Sequence, residues 1–297
     1  MKIAVTGSRG QLGLTLGRIS SEYPRHEFIF ADRQEADITD PAALLRFLER
    51  TQAEAVINCA AYTAVEQAEN DREAASRINA AGPALLARMA RQKGIPLIHF
   101  STDYVFPGNL NRPLREEDPT GPLNVYGLTK LTGERAVLES GCRGAVLRTS
   151  WLYSEFGRNF VLTMLRLGRE GVSPRVICDQ IGSPTYAADL ARAAVELLVQ
   201  GTPGMELYHY SDEGSLSWYD FAQEIFSRAR LSVRVQAVAS ADYPSTVARP
   251  PYSVLSKEKI AGRGIPVPCW TESLQCCLDR IARLHAYAPG QRPSGRI

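Results

Sequence analysis

Lys2-Ile-Ala-Val-Thr-Gly7-Ser-Arg-Gly10-Gln-Leu-Gly13 is the stretch on which the reading of this chain turns. Lys2 to Thr6 is a short apolar run of strand character. Gln11 to Glu22 then reads as a helix with Leu12, Leu16 and Ile19 on one face. Between them three glycines fall at even spacing. Gly7 permits a tight turn, Gly10 lets the backbone approach a pyrophosphate, and Gly13 lets the helix pack closely on the strand. A phosphate would rest on the positive end of that helix. Glycine triplets are common in turns, but strand before and helix after make this one a dinucleotide-binding signature.

The next strand, Glu27 to Ala31, delivers Asp32-Arg33. An acid about twenty residues past the glycines is placed to bond a ribose. Arg33 beside it, and Arg9 inside the glycine loop, are placed to hold a 2′-phosphate; the competing reading is that each is solvated. The sequence therefore leans toward NADPH and leaves NADH open. Asp37 and Ile38 follow in a loop where they would face the adenine, although turn formation also explains Asp37. Pro41 starts a helix capped by Asp40 or Thr39. Ala53 to Cys59 is a buried strand ending in Asn58-Cys-Ala60-Ala61-Tyr62, small residues that leave room for a flat cofactor at the strand's carboxyl end.

Ile95 to Phe100 is another buried strand, and it delivers Ser101-Thr102-Asp103-Tyr104. A hydroxyl there can bond a reacting oxygen, or merely cap a turn. A loop rich in proline and charge, Pro107 to Pro122, leads into Tyr126-Gly-Leu-Thr-Lys130. On a helix, residues four apart share a face. An ammonium one turn from a phenol favours the phenolate and is expected to draw its pKa down toward working range. Such a pair suits proton exchange with a carbonyl or alcohol oxygen. The plain alternative is an exposed helix in which Lys130 pairs with Glu134.

Composition sets the outer limits. The chain has 297 residues, 44% hydrophobic and 22% charged, with a net charge of +2 and scattered basic residues. Nothing here favours nucleic acid or an anionic membrane as a partner. Six cysteines show no metal-ligand spacing and read mostly as small core residues in a reducing compartment. No apolar run is long enough to span a bilayer, and the start at Met1-Lys2 leaves no room for a signal peptide. The expectation is a cytoplasmic protein.

Thr6-Gly-x-x-Gly-x-x-Gly13, Asn58-Cys-Ala-Ala61, Ser101-Thr102 and Tyr126-x-x-x-Lys130, in this order, resemble the extended short-chain dehydrogenase/reductase family. Within it the chain is similar, along its whole length, to the dTDP-4-dehydrorhamnose reductase branch. The stretches that carry this are Ala60-Ala-Tyr-Thr-Ala-Val65, Ser101-Thr-Asp-Tyr-Val-Phe106, Pro122-Leu-Asn-Val-Tyr-Gly127, Arg148-Thr-Ser-Trp-Leu-Tyr153, Asp179-Gln180 with Gly182-Ser-Pro-Thr185, and Ala248-Arg-Pro250. The resemblance implies Thr102, Tyr126 and Lys130 as catalytic residues. It places Gly10, Gln11, Leu12, Asp32 and Asp37 around the adenine nucleotide and Ala60, Ala61 and Tyr62 along the cofactor. Asp103 and Trp151 would lie near the sugar of a dTDP-linked 4-ketosugar, and Val65 belongs to the same set. In some relatives Mg²⁺ held by acidic side chains bridges a dimer. Two of those positions fall here on Thr15 and Arg280, leaving only Asp189 acidic, so no metal is expected and a homodimer stays open without a metal bridge.

In the second half, Trp151 is placed to stack on a sugar ring or to serve the core. Asn159 reads as the cap of a helix to Arg169, and stands with the substrate residues. Pro184 to Asp189 begins a long helix, and Leu216 to Arg230 gives another whose stripe of Trp218, Phe221 and Phe226 suits a core. Arg249, in a proline-flanked loop, is placed to clamp a nucleotide diphosphate, against the default of a solvated arginine. A last helix runs from Trp270 to His285, with a loose tail from Pro289. The four histidines show no ligand spacing. Together these segments predict an α/β fold: a Rossmann-type doubly wound parallel sheet with a smaller α/β substrate lobe. Residues 1–150 would bind the nucleotide and 151–297 mainly the substrate, with segments near 175–200 and 233–240 packing back. A nucleotide-sugar epimerase or dehydratase remains a rival, although a dehydratase typically needs an Asp-Glu pair after the threonine and here Asp103-Tyr104 follows. A non-catalytic regulatory subunit, like that of methionine adenosyltransferase, is the second rival.

Overall fold

The computed structural model describes residues 1–245 and 247–286. Five apolar strands in the first half of the chain, β1 (Lys2–Thr6), β2 (Glu27–Ala31), β3 (Ala55–Asn58), β4 (Leu97–Thr102) and β5 (Gly144–Thr149), are joined by β6 (Met205–His209) from the second half. They form one parallel sheet of order β2-β1-β3-β4-β5-β6. Strand side chains alternate between faces, so Ile3, Val5, Ile57, Ile98 and Leu147 enter one core. Ala4, Val56, Leu97 and Val146 enter the other. Both faces are covered, which is why these strands read as continuous apolar runs rather than alternating ones.

The first core is closed by α1 (Gln11–Ile19), with the helix Ala187–Gln200 lying against it. The second is closed by α2 (Pro41–Thr51), α3 (Gly82–Lys93) and α4 (Val125–Leu138). Asp40 caps α2 through the amides of Ala42 and Ala43, at 2.8 and 3.2 Å, and Gly94 ends α3 in the left-handed conformation at φ 68°. Parallel strands bring all their carboxyl ends to one edge. There the winding diverges, since β2 lies to one side of β1 and β3 to the other, and an open crevice results.

Beyond β5 the chain forms small two-stranded pairings: Leu152–Tyr153 with Thr185–Tyr186, Leu216–Ser217 with Ile181–Gly182, and Gln236–Val238 with Arg175–Ile177. The helices Phe160–Arg169, Trp218–Arg228 and Trp270–Ala286 complete this part. Phe221 and Phe226 are buried, as a core stripe requires. The segment 236–238 pairs with 175–177 and not with the main sheet, whereas 205–209, which the sequence reading did not single out, becomes the sheet's edge strand. The tail from Pro289 lies outside the described residues. The cysteines are less buried than expected: Cys178, Cys269 and Cys276 are exposed, because they sit in loops or on outer helix faces. No described helix is long and apolar enough to cross a membrane.

Candidate active site

The glycine loop is built as its spacing demands. Gly7 sits at φ 68°, and a Cβ there would lie 2.5 Å from the amide nitrogen of Ala60. A Cβ on Gly13 would lie 2.5 Å from the carbonyl of Gly7, so only glycine lets α1 start this close to β1. Gly10 is the N-cap of α1 and makes no side-chain cap bond, which leaves the positive helix end for an anion. Gly7, Arg9, Gly10, Asp32, Arg33, Asp37, Ile38, Ala60 and Ala61 line one cleft of about 500 Å³. An adenine nucleotide fits that donor set and that open backbone.

Within the cleft several charged groups already have partners. Arg9 pairs with Asp32 at 2.5 Å and Arg33 with Asp37 at 3.1 Å. Asp32 also accepts from the amides of Gln34 and Glu35, at 2.8 and 3.2 Å. Asp37 accepts from the amide and the hydroxyl of Thr39, which are 2.8 and 2.7 Å away, so it forms the turn that the plain reading named. Both arginines are mainly exposed and free to turn toward a 2′-phosphate.

The floor of the site is a file of side chains across three strand ends. Asn58 accepts from the Thr6 hydroxyl at 2.8 Å and from the amide of Ala60 at 3.1 Å. Its amide nitrogen therefore donates to His99 Nδ1, 3.1 Å away. Burial, with Lys130 adding to it, holds His99 far below its ordinary pKa and so neutral. Asn79 adds a second brace, accepting from the Tyr62 amide at 2.8 Å and donating to the Tyr62 carbonyl at 3.0 Å and to Thr129 at 3.2 Å. It can do so because Arg77–Ala81 is π-helical, a local widening often found at functional sites. None of His99, Asn79 or Thr129 stood out in the sequence; Asn79 lies inside an amphipathic pattern that a π turn interrupts without changing its composition.

Asn124 caps α4 through the amide of Gly127 at 2.8 Å, which sets Tyr126 and Lys130 one turn apart on the helix face toward β4. Lys130 is buried, and its ammonium donates to the carbonyl of Phe100 at 2.6 Å. Thr102, at the end of β4, donates to Asp103 at 3.0 Å and accepts from the Tyr104 amide at 3.2 Å. Tyr104 packs edge-on against Tyr126, ring centres 5.6 Å apart. Thr102, Tyr126 and Lys130 thus converge at the carboxyl edge of the sheet.

Two electrostatic expectations need correction. Tyr126 is not drawn down by Lys130: burial pushes it up to about 12, with the Thr102 hydroxyl working the other way and Asp103 adding to the rise. Loss of solvation penalises the phenolate, and the Lys130 ammonium, turned to the Phe100 carbonyl, does not offset it. The same burial pushes Lys130 down to about 8, against the pull of Glu134. Nor does Lys130 pair with Glu134. That carboxylate is taken by Arg148 in a buried two-pronged bond, Nε to Oε2 at 2.9 Å and Nη2 to Oε1 at 2.5 Å. Burial also raises Asp103 to about 6, offset in part by Ser253 and Thr102.

The remaining candidates are distributed as follows. Val65 begins a short helix, Val65–Ala68, whose continuation Glu69 accepts from the Val125 amide at 2.8 Å and so abuts the start of α4. Trp151 has φ 46°, a strained conformation for a bulky residue. Its indole stacks on Trp218 with centres 3.5 Å apart, so one of its faces is covered by protein. Asn159 caps its helix at the Leu162 amide, 3.0 Å away, and donates to Gln11 at 2.7 Å and to the carbonyls of Ser154 and Phe156. Gln11 in turn donates to the carbonyl of Leu152 at 3.2 Å, pinning the start of α1 to the second half of the chain. Arg249 is not solvated: it pairs with Glu66 and donates to Ser245 at 2.6 Å.

Residues 1–283 match the model of the family described as the RmlD substrate binding domain. The chain belongs to that family. A spore coat polysaccharide biosynthesis protein, SpsK, of Bacillus subtilis is 38% identical over 274 residues, covering 92% of this chain and 95% of that protein. The dTDP-4-dehydrorhamnose reductase of Burkholderia thailandensis is 37% identical over 294 residues, covering 94% and 98%. A dTDP-4-dehydrorhamnose reductase from Bacillus anthracis, solved in complex with NADP, superposes with a TM-score of 0.89 at 37% identity, covering 94% of this chain and 99% of that one. In this family member the positions weighed for a metal are otherwise engaged. The Thr15 hydroxyl donates to the Gln11 carbonyl at 2.8 Å, Arg280 donates to Glu155 at 3.1 Å, and Asp189 accepts from Arg192 and Ser273.

Proposed function

We propose that this chain is an NADPH-dependent oxidoreductase that reduces the C4 ketone of dTDP-4-dehydro-L-rhamnose to give dTDP-L-rhamnose, a step in making nucleotide sugars for cell-surface polysaccharide. The observation that carries this reading is the convergence of Thr102, Tyr126 and Lys130 at the sheet edge, beside a cleft lined by the glycine loop and Asp32. The names of relatives that match nearly the whole chain point to the same reaction.

NADPH, when bound, supplies a hydride to the ketone carbon. Gly7, Gly10, Gln11 and Leu12 would hold its pyrophosphate, Asp32 its ribose, and Arg9 or Arg33 its 2′-phosphate. Ala60, Ala61 and Tyr62 would border its far end, and Lys130 the nicotinamide ribose. Tyr126, held up to about 12, keeps its proton at neutral pH and is available to donate it to the ketone oxygen. The Thr102 hydroxyl, the group that favours the phenolate form of Tyr126, would bond the developing alkoxide. Each such preorganised donor is typically worth about 3 kcal/mol. Asp103, Val65 and Trp151 would contact the sugar, and Arg249 the diphosphate. The same reading expects a cytoplasmic enzyme that requires neither nucleic acid nor a membrane.

The test is NADPH oxidation by the purified protein with dTDP-4-dehydro-L-rhamnose, set against UDP- and GDP-linked ketosugars. Rapid turnover confined to the dTDP sugar supports the proposal. Protein that carries tightly held NAD and leaves NADPH unconsumed would point to an epimerase or dehydratase instead, since those recycle their cofactor.

A further inference from the structure

Glu66 and Arg249 come from opposite halves of the chain and meet beside the start of α4. Both are fixed relative to Tyr126. Glu69, next to the helix that carries Glu66, accepts from the Val125 amide, and Ala248 accepts from Asn124, the cap of α4, at 2.9 Å. Beside Arg249 lies Tyr104, which packs on Tyr126. Arg249 also lines a second cleft of about 560 Å³, together with Asp179, Gln180, Ser240, Ser245 and Pro251 among others. The guanidinium thus borders both Tyr104, the neighbour of Tyr126, and a space of nucleoside size.

The two partners differ in their surroundings. The Arg249 side chain is only 20% exposed, whereas that of Glu66 is 60% exposed. A largely buried guanidinium needs a counter-charge. An exposed carboxylate gives up an ion pair at little cost, because water replaces the partner. A diphosphate offers two charges and the paired oxygens that a guanidinium fork matches, and so is the better partner. Resting on the nucleotide-sugar reading above, we propose that Glu66 is a positioning residue that occupies the place of the substrate's diphosphate. It holds Arg249 ready in the free enzyme and is displaced when the nucleotide sugar binds.

Glu66 then competes with substrate, and removing its charge strengthens binding. An exposed pair is worth at most about 1 kcal/mol, so Glu66→Gln is expected to bind dTDP about two- to fivefold more tightly. Calorimetric titration of dTDP into wild type, E66Q, R249Q and the double variant tests this, with NADPH titrated separately as the other diphosphate. The expected result is tighter dTDP binding in E66Q, weaker binding in R249Q, no effect of E66Q in the R249Q background, and NADPH affinity the same in all four. The gain is also expected in KM for the ketosugar, a direction that loss of a merely structural contact would not produce. Unchanged or weaker dTDP binding in E66Q, or the same gain without Arg249, would overturn the proposal. Wild-type protein that binds dTDP in this Glu66-dependent way but oxidises no NADPH with the ketosugar would sink the reductase reading and leave this inference standing.

Discussion

Changing Glu134 to glutamine tests how a buried charge pair supports the catalytic helix. Arg148 and Glu134 have side chains only 4% and 1% exposed. The guanidinium also donates to the Glu116 carbonyl and to His209 Nε2, each at 3.2 Å, and lies 4.9 Å over the Phe106 ring. His209 Nδ1 faces the Leu114 carbonyl at 3.1 Å, and burial with the Arg148 charge pushes His209 down to about 3, so it cannot share the cation's need for a negative partner. Glutamine keeps the shape of Glu134, removes its charge and turns one acceptor into a donor aimed at Arg148. Breaking one side of a buried pair costs roughly 3–5 kcal/mol. For a chain of this size that corresponds to a fall in Tm of roughly 6–20 °C, read by circular dichroism on heating. A second readout is independent of stability. Glu134 raises the pKa of Lys130, so its loss moves the alkaline limb of the activity profile to lower pH. A Tm within about 2 °C of wild type, with that limb unmoved, would refute the electrostatic coupling drawn from the structure.

Lys130 itself sits at about 8 against an ordinary 10.5, because of burial. Between those values the folded protein binds fewer protons than the unfolded chain, so this residue makes stability rise with pH across that window; Lys130→Met should remove that slope in urea midpoints. The ammonium is lost as pH rises through about 8, and kcat/KM of the wild type should fall there. Asp103, raised by burial from 3.8 to about 6, has the opposite linkage: the folded state binds the extra proton, so stability falls as pH rises through that range, and Asp103→Asn should flatten the change. Gly133 has no room for a methyl group, since its Cβ would lie 1.9 Å from the Asn79 carbonyl. Gly133→Ala should destabilise by roughly 1–3 kcal/mol or more and loosen the Asn79 brace, both measurable by denaturant unfolding alongside turnover.

Much of the fold was legible because the sheet is parallel and buried on both faces. Such strands have to be short apolar runs, and Gly7 and Gly13 sit where no other residue fits. Spacing also put Tyr126 and Lys130 on one helix face and a hydroxyl at the end of β4, while the choice of Thr102 as their companion came from the family resemblance and not from spacing. What spacing does not carry is partner choice across the fold. Glu134 stands one turn from Lys130, yet it turns to Arg148, a residue on a strand that folding brings against α4. Likewise Asn159 reveals its cap locally but not its bond to Gln11, 148 residues away. The raised pKa of Tyr126 is hidden from the sequence for a related reason. The neighbouring charge is visible in sequence, while the burial that raises the phenol and the turn of that charge toward the Phe100 carbonyl appear only once the chain is packed.

The central claim is that the Tyr126 hydroxyl is the proton donor, and single-turnover NADPH oxidation by Tyr126→Phe with dTDP-4-dehydro-L-rhamnose tests it most directly. Loss of a general acid should slow the chemical step by about 10²- to 10⁴-fold, with NADPH affinity nearly intact. A Phe variant that reduces the ketosugar at close to the wild-type rate would contradict the account.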